Sequence, residues 1–353
     1  MSNQTVLAEL LAKDVAQLTP DEFARRVQIG AENAVQCMGV TAHDRVFIIT
    51  DYARQGIARE VANAVLACHA DVTVRFLEHY GERPLTVFSD ELRGDLISAR
   101  PTVTFYIATA QPGEIAFRIP LLPFLAQELK VRHGHMIGID EKLMADGMCA
   151  DYDEVFSLTN QVYDLVRNAQ TIHVTSAQGS HVTATFHKDW RWVPCHGRYH
   201  QPGSWGNLPE GEVYTAPATV DGVLVCDVLG DYFSEKYGVL EQPVVITVKD
   251  GYITDITSEN AALAQELHDY LFSAPNGNRA GEFAIGTLTS LKKLVGNLLQ
   301  DEKMPGLHIA FGNPYPHFTG ADWDARVHVD VIPSCCTIEV DGRVIMRDGQ
   351  FTI

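Results

Sequence analysis

The chain has no Cys-x-x-Cys pair, and its seven cysteines, Cys37, Cys68, Cys149, Cys195, Cys226, Cys335 and Cys336, are odd in number. Both facts argue against a disulfide framework and a thiolate zinc site, and they fit a reducing compartment, so a cytoplasmic protein is expected. Apolar runs long enough to cross a bilayer are absent, and the opening MSNQTVLAELLAKDVAQ lacks a basic segment followed by an apolar core. Neither a membrane span nor a secretory leader is expected. Basic residues are scarce: 27 Lys and Arg stand against 45 Asp and Glu, a formal charge of −18. That charge repels nucleic-acid backbones and anionic membrane surfaces, so neither is expected as a partner. A phosphate-cradling loop is missing too, because the TDYARQG turn at 50–56 is neither Gly-x-Gly-x-x-Gly nor a Walker sequence with its lysine.

What remains is an ordinary soluble composition, 46% hydrophobic and 20% charged, over 353 residues, long enough for two domains. In the first half, strand patterns at 45–50, 72–79, 102–109 and 135–140 alternate with helical ones, which predicts a mostly parallel sheet flanked by helices. After a helix at about 153–168 the period changes. Segments such as TIHVTSAQGSHVTATFH, PVVITVKDGYITDITS and CTIEVDGRVIMRDGQF predict strands joined by tight turns, three of them at Asp-Gly. Helices are expected at ENAALAQELHDYLF and IGTLTSLKKLVGNLLQ. The expected fold is therefore α/β: an N-terminal α/β domain over residues 1–170 and a β-rich α+β domain over 171–353.

Chemistry concentrates in the second half. In DARVHVDVIPSC, His328 and Asp330 lie two apart in a strand pattern, so they share a face, either as a wet edge or as a pair directed at one ion. NLPEGEVYTAP offers Glu212, RAGEFAIGT offers Glu282, and GLHIAFGNPY offers His308 and Tyr315. Each alone has a structural reading: a solvated turn, a charge at a helix start, a core histidine, a loop aromatic. Two glutamates, two histidines and an aspartate together are the ligand inventory of a two-metal hydrolytic site.

These motifs resemble those of metallo-aminopeptidases of the aminopeptidase T and aminopeptidase S type, the thermophilic metalloprotease family. The order and rough spacing of all five elements agree over about residues 200–353. The resemblance implies that Glu212, Glu282, His308, His328 and Asp330 hold two divalent ions (zinc, cobalt, manganese or magnesium). It further implies that Tyr315 is catalytic, that the protein is a homodimer, and that the substrate is a short peptide or small molecule. Glu212, Glu282 or Glu210 would exchange the proton of a bridging water. The same scaffold is similar to 2,5-dihydroxypyridine 5,6-dioxygenase, a mononuclear Fe(II) ring-cleaving enzyme. That relative keeps the His-x-Asp pair, has a histidine in place of Glu282 and lacks the first glutamate. The complete glutamate set here favours hydrolysis; ring cleavage and a non-catalytic binding protein are the alternatives. The aromatic-rich loop at 187–206, with Trp190, Trp192, Tyr199 and Trp205, is expected to line a pocket or to pack as a lid. Cys335 and Cys336 are expected to be small buried residues.

Overall fold

The structure, a computed structural model, describes residues 3–353. It forms two compact units, Met1–Asp153 with Gly197–Glu210, and Glu154–His196 with Gly211–Ile353. The β-rich pattern begins near 170, but the helix Tyr152–Val166 belongs largely to the second unit, where Val162 and Val166 enter its core.

In the first unit, five parallel strands run in the order Asp71–Phe76, Arg45–Thr50, Val103–Ala108, Arg132–Ile137, Trp205–Asn207. Phe47, Ile48 and Ile49 are all fully buried, as expected for a strand covered by helices on both faces. The helix Pro20–Cys37 starts with a capping box between Thr19 and Glu22 and with proline in its first turn, where the missing N–H is harmless. The fifth strand comes from the aromatic-rich loop. Residues 197–210 return to this unit, with the Tyr199 amide donating to the Cys37 carbonyl at 2.8 Å and Trp205–Asn207 pairing with His133–His135. Arg83 joins two buried carboxylates, donating to Asp51 and, at 2.6 Å through Nε, to Glu114.

The second unit holds two antiparallel sheets around one core. The eight-stranded sheet runs Tyr252–Thr257, Val244–Lys249, Thr219–Cys226, His181–Thr185, Thr171–Ser176, Cys336–Val340, Arg343–Arg347, Gln350–Phe351. Its Asp-Gly turns have positive φ at both residues: 52° and 81° at Asp250-Gly251, 46° and 84° at Asp341-Gly342, 48° and 77° at Asp348-Gly349. These signs match the twist of the flanking strands. The six-stranded sheet runs Val228–Leu229, His328–Ile332, Gly306–Gly312, Ala280–Gly286, Glu212–Thr215, Val193–Cys195.

Two expectations are corrected here. The helix expected over IGTLTSLKKLVGNLLQ does not form: Ile285 and Gly286 end a strand, and only Leu298–Asp301 is helical. Gly296, at φ 79°, interrupts the helical pattern, and Asp301 holds the loop by accepting hydrogen bonds from the amides of Val295, Gly296 and Asn297. Cys336 is buried, but Cys335 is exposed at φ 52°.

Candidate metal centre

Strand register explains why the sequence-predicted residues meet. Directly opposed residues of antiparallel strands point to the same face, and so do residues two apart. Gly286 opposes Glu212, Ala284 opposes both Tyr214 and His308, Ala310 opposes both Glu282 and Asp330, and Gly312 opposes His328. Glu212, Glu282, His308, His328 and Asp330 therefore rise from one face of four adjacent strands. Between them on that face lie Ala284, Ala310, Gly286 and Gly312, all small residues. The opposite face carries Val213, Phe283, Ile285, Leu307, Ile309, Phe311, Val329 and Val331, all in the hydrophobic core.

On the polar face the side chains form a row. His308 Nε2 lies 3.2 Å from Glu212 Oε2 and 3.4 Å from Glu282 Oε1, while His328 Nε2 lies 3.7 Å from both Glu282 Oε2 and Asp330 Oδ2. His328 Nδ1 lies 2.9 Å from the Asn313 carbonyl, which sets the ring and leaves Nε2 for the site. Glu212, Glu282, His308 and Asp330 are each no more than 6% exposed. Burial on that scale is rare for acidic side chains unless a cation compensates them.

Glu212 Oε2 and His308 Nε2 show that the residues fit a metal. Both atoms are buried and close, yet neither makes a hydrogen bond. Buried polar atoms left unsatisfied in this way are uncommon, and two facing lone-pair donors suit a cation between them. Glu212, Glu282 and His308 offer ligand atoms within 4.8 Å of one another, and so do Glu302, His308 and Asp330.

Two residues of this centre were not anticipated from the sequence. Lys303, 1% exposed, places Nζ 2.7 Å from Glu212 Oε1 and 2.8 Å from Glu302 Oε1. Burial, reinforced by the neighbouring Glu212 and Asp330 carboxylates, pushes the Glu302 carboxyl up to about 8 despite the Lys303 charge. Burial also acts to raise Glu212, but Lys303 and His308 together outweigh it and hold that carboxyl down at about 2. In the sequence, Asp-Glu-Lys reads as an exposed charged turn, and only its position five residues before His308 hints otherwise.

Tyr315 sits at φ 48°, its ring centroid 4.7 Å from the His328 ring, so it stands beside the row. The aromatic-rich loop has other duties. Trp192 packs against Phe186 and Phe283 in the core, and Trp205 belongs to the parallel sheet. The Tyr199 hydroxyl donates to Glu210 Oε2 at 2.6 Å within the first unit. Of the loop histidines, His196 packs on Phe156 and His200 Nε2 lies 3.0 Å from the Gln36 carbonyl.

Among known proteins, the sequence profile of the 2,5-dihydroxypyridine 5,6-dioxygenase family matches residues 148–285, a span that includes Glu212 and Glu282 and ends before His308. No curated protein matches the chain. AmpT (aminopeptidase T) from Thermus thermophilus superposes with a TM-score of 0.67 at 17% identity, over 94% of this chain and 100% of its own. The 2,5-dihydroxypyridine dioxygenase of Pseudomonas putida KT2440 superposes with a TM-score of 0.66 at 17% identity, over 94% of this chain and 97% of its own. The chain has the α/β fold of both proteins and is similar to each along nearly its whole length.

Proposed function

We propose that this protein is a divalent-metal-dependent hydrolase that cleaves an amide bond in a small molecule or short peptide. Glu282 carries the reading. Its two oxygens face different histidines, Oε1 toward His308 and Oε2 toward His328, with Glu212 beyond the first and Asp330 beyond the second. Glu282 with Glu212 and His308 on one side, and with His328 and Asp330 on the other, would hold two divalent ions. When bound, such ions polarise a carbonyl and lower the pKa of a water to near neutrality.

The chain's own groups do the positioning. The Asn313 carbonyl orients His328, and the Lys303 ammonium fixes one oxygen of Glu212. The Tyr315 hydroxyl is assigned the hydrogen bond to the developing oxyanion, a contact whose loss costs about 2.7–4 kcal/mol in the barrier. Glu212, with one oxygen on Lys303 and the other facing His308, acts as a ligand.

Ring cleavage by a ferrous dioxygenase is the second reading, favoured by the family profile over residues 148–285. Against it, Glu212, Glu282, His308, His328 and Asp330 gather three carboxylates and two imidazoles, whereas a mononuclear ferrous oxygenase uses two imidazoles and one carboxylate. Two measurements on chelator-free protein decide between them: elemental analysis, and parallel assays of amino-acid arylamide cleavage and of oxygen uptake with 2,5-dihydroxypyridine. Hydrolysis predicts arylamide cleavage, lost with a drop in melting temperature on chelation and restored by zinc or manganese. Iron content with dihydroxypyridine-dependent oxygen uptake would replace this reading with the second.

A further inference from the structure

Lys303 is a buried ammonium drawn into the same carboxylates that a metal ion needs. Its backbone cannot withdraw easily. The Lys303 amide donates to the Gln300 carbonyl at 2.9 Å, and the Leu288 amide donates to the Lys303 carbonyl at 2.9 Å. Across from it, Gly286 approaches so closely that a Cβ there would lie 2.8 Å from the Lys303 carbonyl. The side chain thus leaves a fixed backbone and ends between Glu212 and Glu302, with almost no exposure to solvent.

We propose that Lys303 makes the two cation positions unequal, leaving one tight divalent site at Glu282, His328 and Asp330 and a weak, exchangeable one at Glu212, Glu282 and His308. This rests on the metal-dependent reading above. Lys303 occupies Glu212 Oε1, so only Oε2 remains for an ion on that side. The same ammonium holds Glu302, which would otherwise complete a ligand group with His308 and Asp330. A fixed positive charge bonded to a ligand also repels an incoming divalent ion, strongly so where water is excluded. The other position differs: Glu282 Oε2 and Asp330 Oδ2 both face His328 Nε2, and the two carboxylates that pair with Lys303 are Glu212 and Glu302. The first ion therefore enters at His328 and Asp330, and the second binds only at high free concentration.

The experiment strips the full chain with a chelator, titrates zinc by calorimetry, and measures zinc retained after gel filtration. The parent protein should retain about one equivalent, with a second, weaker step in the titration. Lys303→Gln should retain about two, its weak step tightened by roughly tenfold or more. Lys303→Arg, which keeps the charge, should behave as the parent. Two equal steps in the parent, or a Lys303→Gln titration identical to the parent's, overturn the proposal while leaving the metal reading intact. No binding by any of the three proteins overturns the metal reading itself. Circular dichroism checks folding; if Lys303→Gln does not fold, Lys303→Met, also without the charge, takes its place with the same expected and overturning results.

Discussion

Three consecutive residues, His328, Val329 and Asp330, carry two jobs that substitution separates. His328 and Asp330 belong to the polar face, and Val329, fully buried, belongs to the core. His328→Ala and Asp330→Ala should each lose bound metal, turnover and the stability that the metal supplies, while the fold survives. Val329→Asp should cost several kcal/mol, since it places an unpaired carboxyl among aliphatic side chains. Chemical denaturation and metal analysis on the three variants check this; normal metal content in both alanine variants would remove the pair from the ligand set. Residues at this scale were legible where their types were out of place: an imidazole or carboxylate between β-branched neighbours is conspicuous. Lys303 and Glu302 were not, because charges in a turn are expected there, and nothing local tells a solvated turn from one folded under a sheet.

At the scale of elements, the loop after the strand Ala280–Gly286 controls where Lys303 ends up. A Cβ at Gly286 would lie 2.0 Å from the Met304 carbonyl oxygen, a backbone atom that cannot swing aside. Gly286→Ala should therefore destabilise by about 1–3 kcal/mol, the usual range for overpacking, and should loosen the retained metal. Gly94, inside the helix Asp90–Ala99 with nothing within 4 Å of its would-be Cβ, makes the control. Gly94→Ala should be neutral or stabilising by up to about 1 kcal/mol. Thermal melts of both variants are sufficient, and equal melting temperatures would count against the close approach. Strands with strict alternation and Asp-Gly turns were readable from sequence because their period and backbone signs are local. The helix expected at 285–300 failed because local side-chain bonds compete with a helical pattern: three amides of that stretch donate to Asp301 instead of to carbonyls one turn earlier. Trp205–Asn207 was unreadable for another reason, since three residues in a Gly- and Pro-rich loop become a strand only when a sheet edge is already present.

For the whole molecule, the parallel-sheet unit contributes an acid-sensitive element of its own. Burial pushes the Asp51 carboxyl up, but the Thr109 hydroxyl and amide, the Arg83 guanidinium and the Arg54 amide hold it below its ordinary value. A carboxyl with a lowered folded value contributes stability that is complete above its unfolded value, about 3.9, and that is lost as pH falls through the folded value. The melting temperature should thus fall steeply below about pH 4. Asp51→Asn should lower it by an amount corresponding to about 3–5 kcal/mol near neutral pH, because Arg83 loses one buried partner, and should flatten that acid limb. A pH series of melts on parent and variant measures both effects; parallel acid limbs would assign the acid response to other carboxylates. No described helix is long and apolar enough to cross a membrane. The alternation of the two units, parallel then antiparallel, followed from hydrophobic period. The return of residues 197–210 to the first unit did not, because sequence order says little about which sheet a loop will join. The six-stranded sheet of the second unit also bears on how its site can change. Because its ligands and its core residues occupy alternate positions of the same strands, a lineage can exchange a glutamate for a histidine on one side while every hydrophobic contact on the other is inherited unchanged.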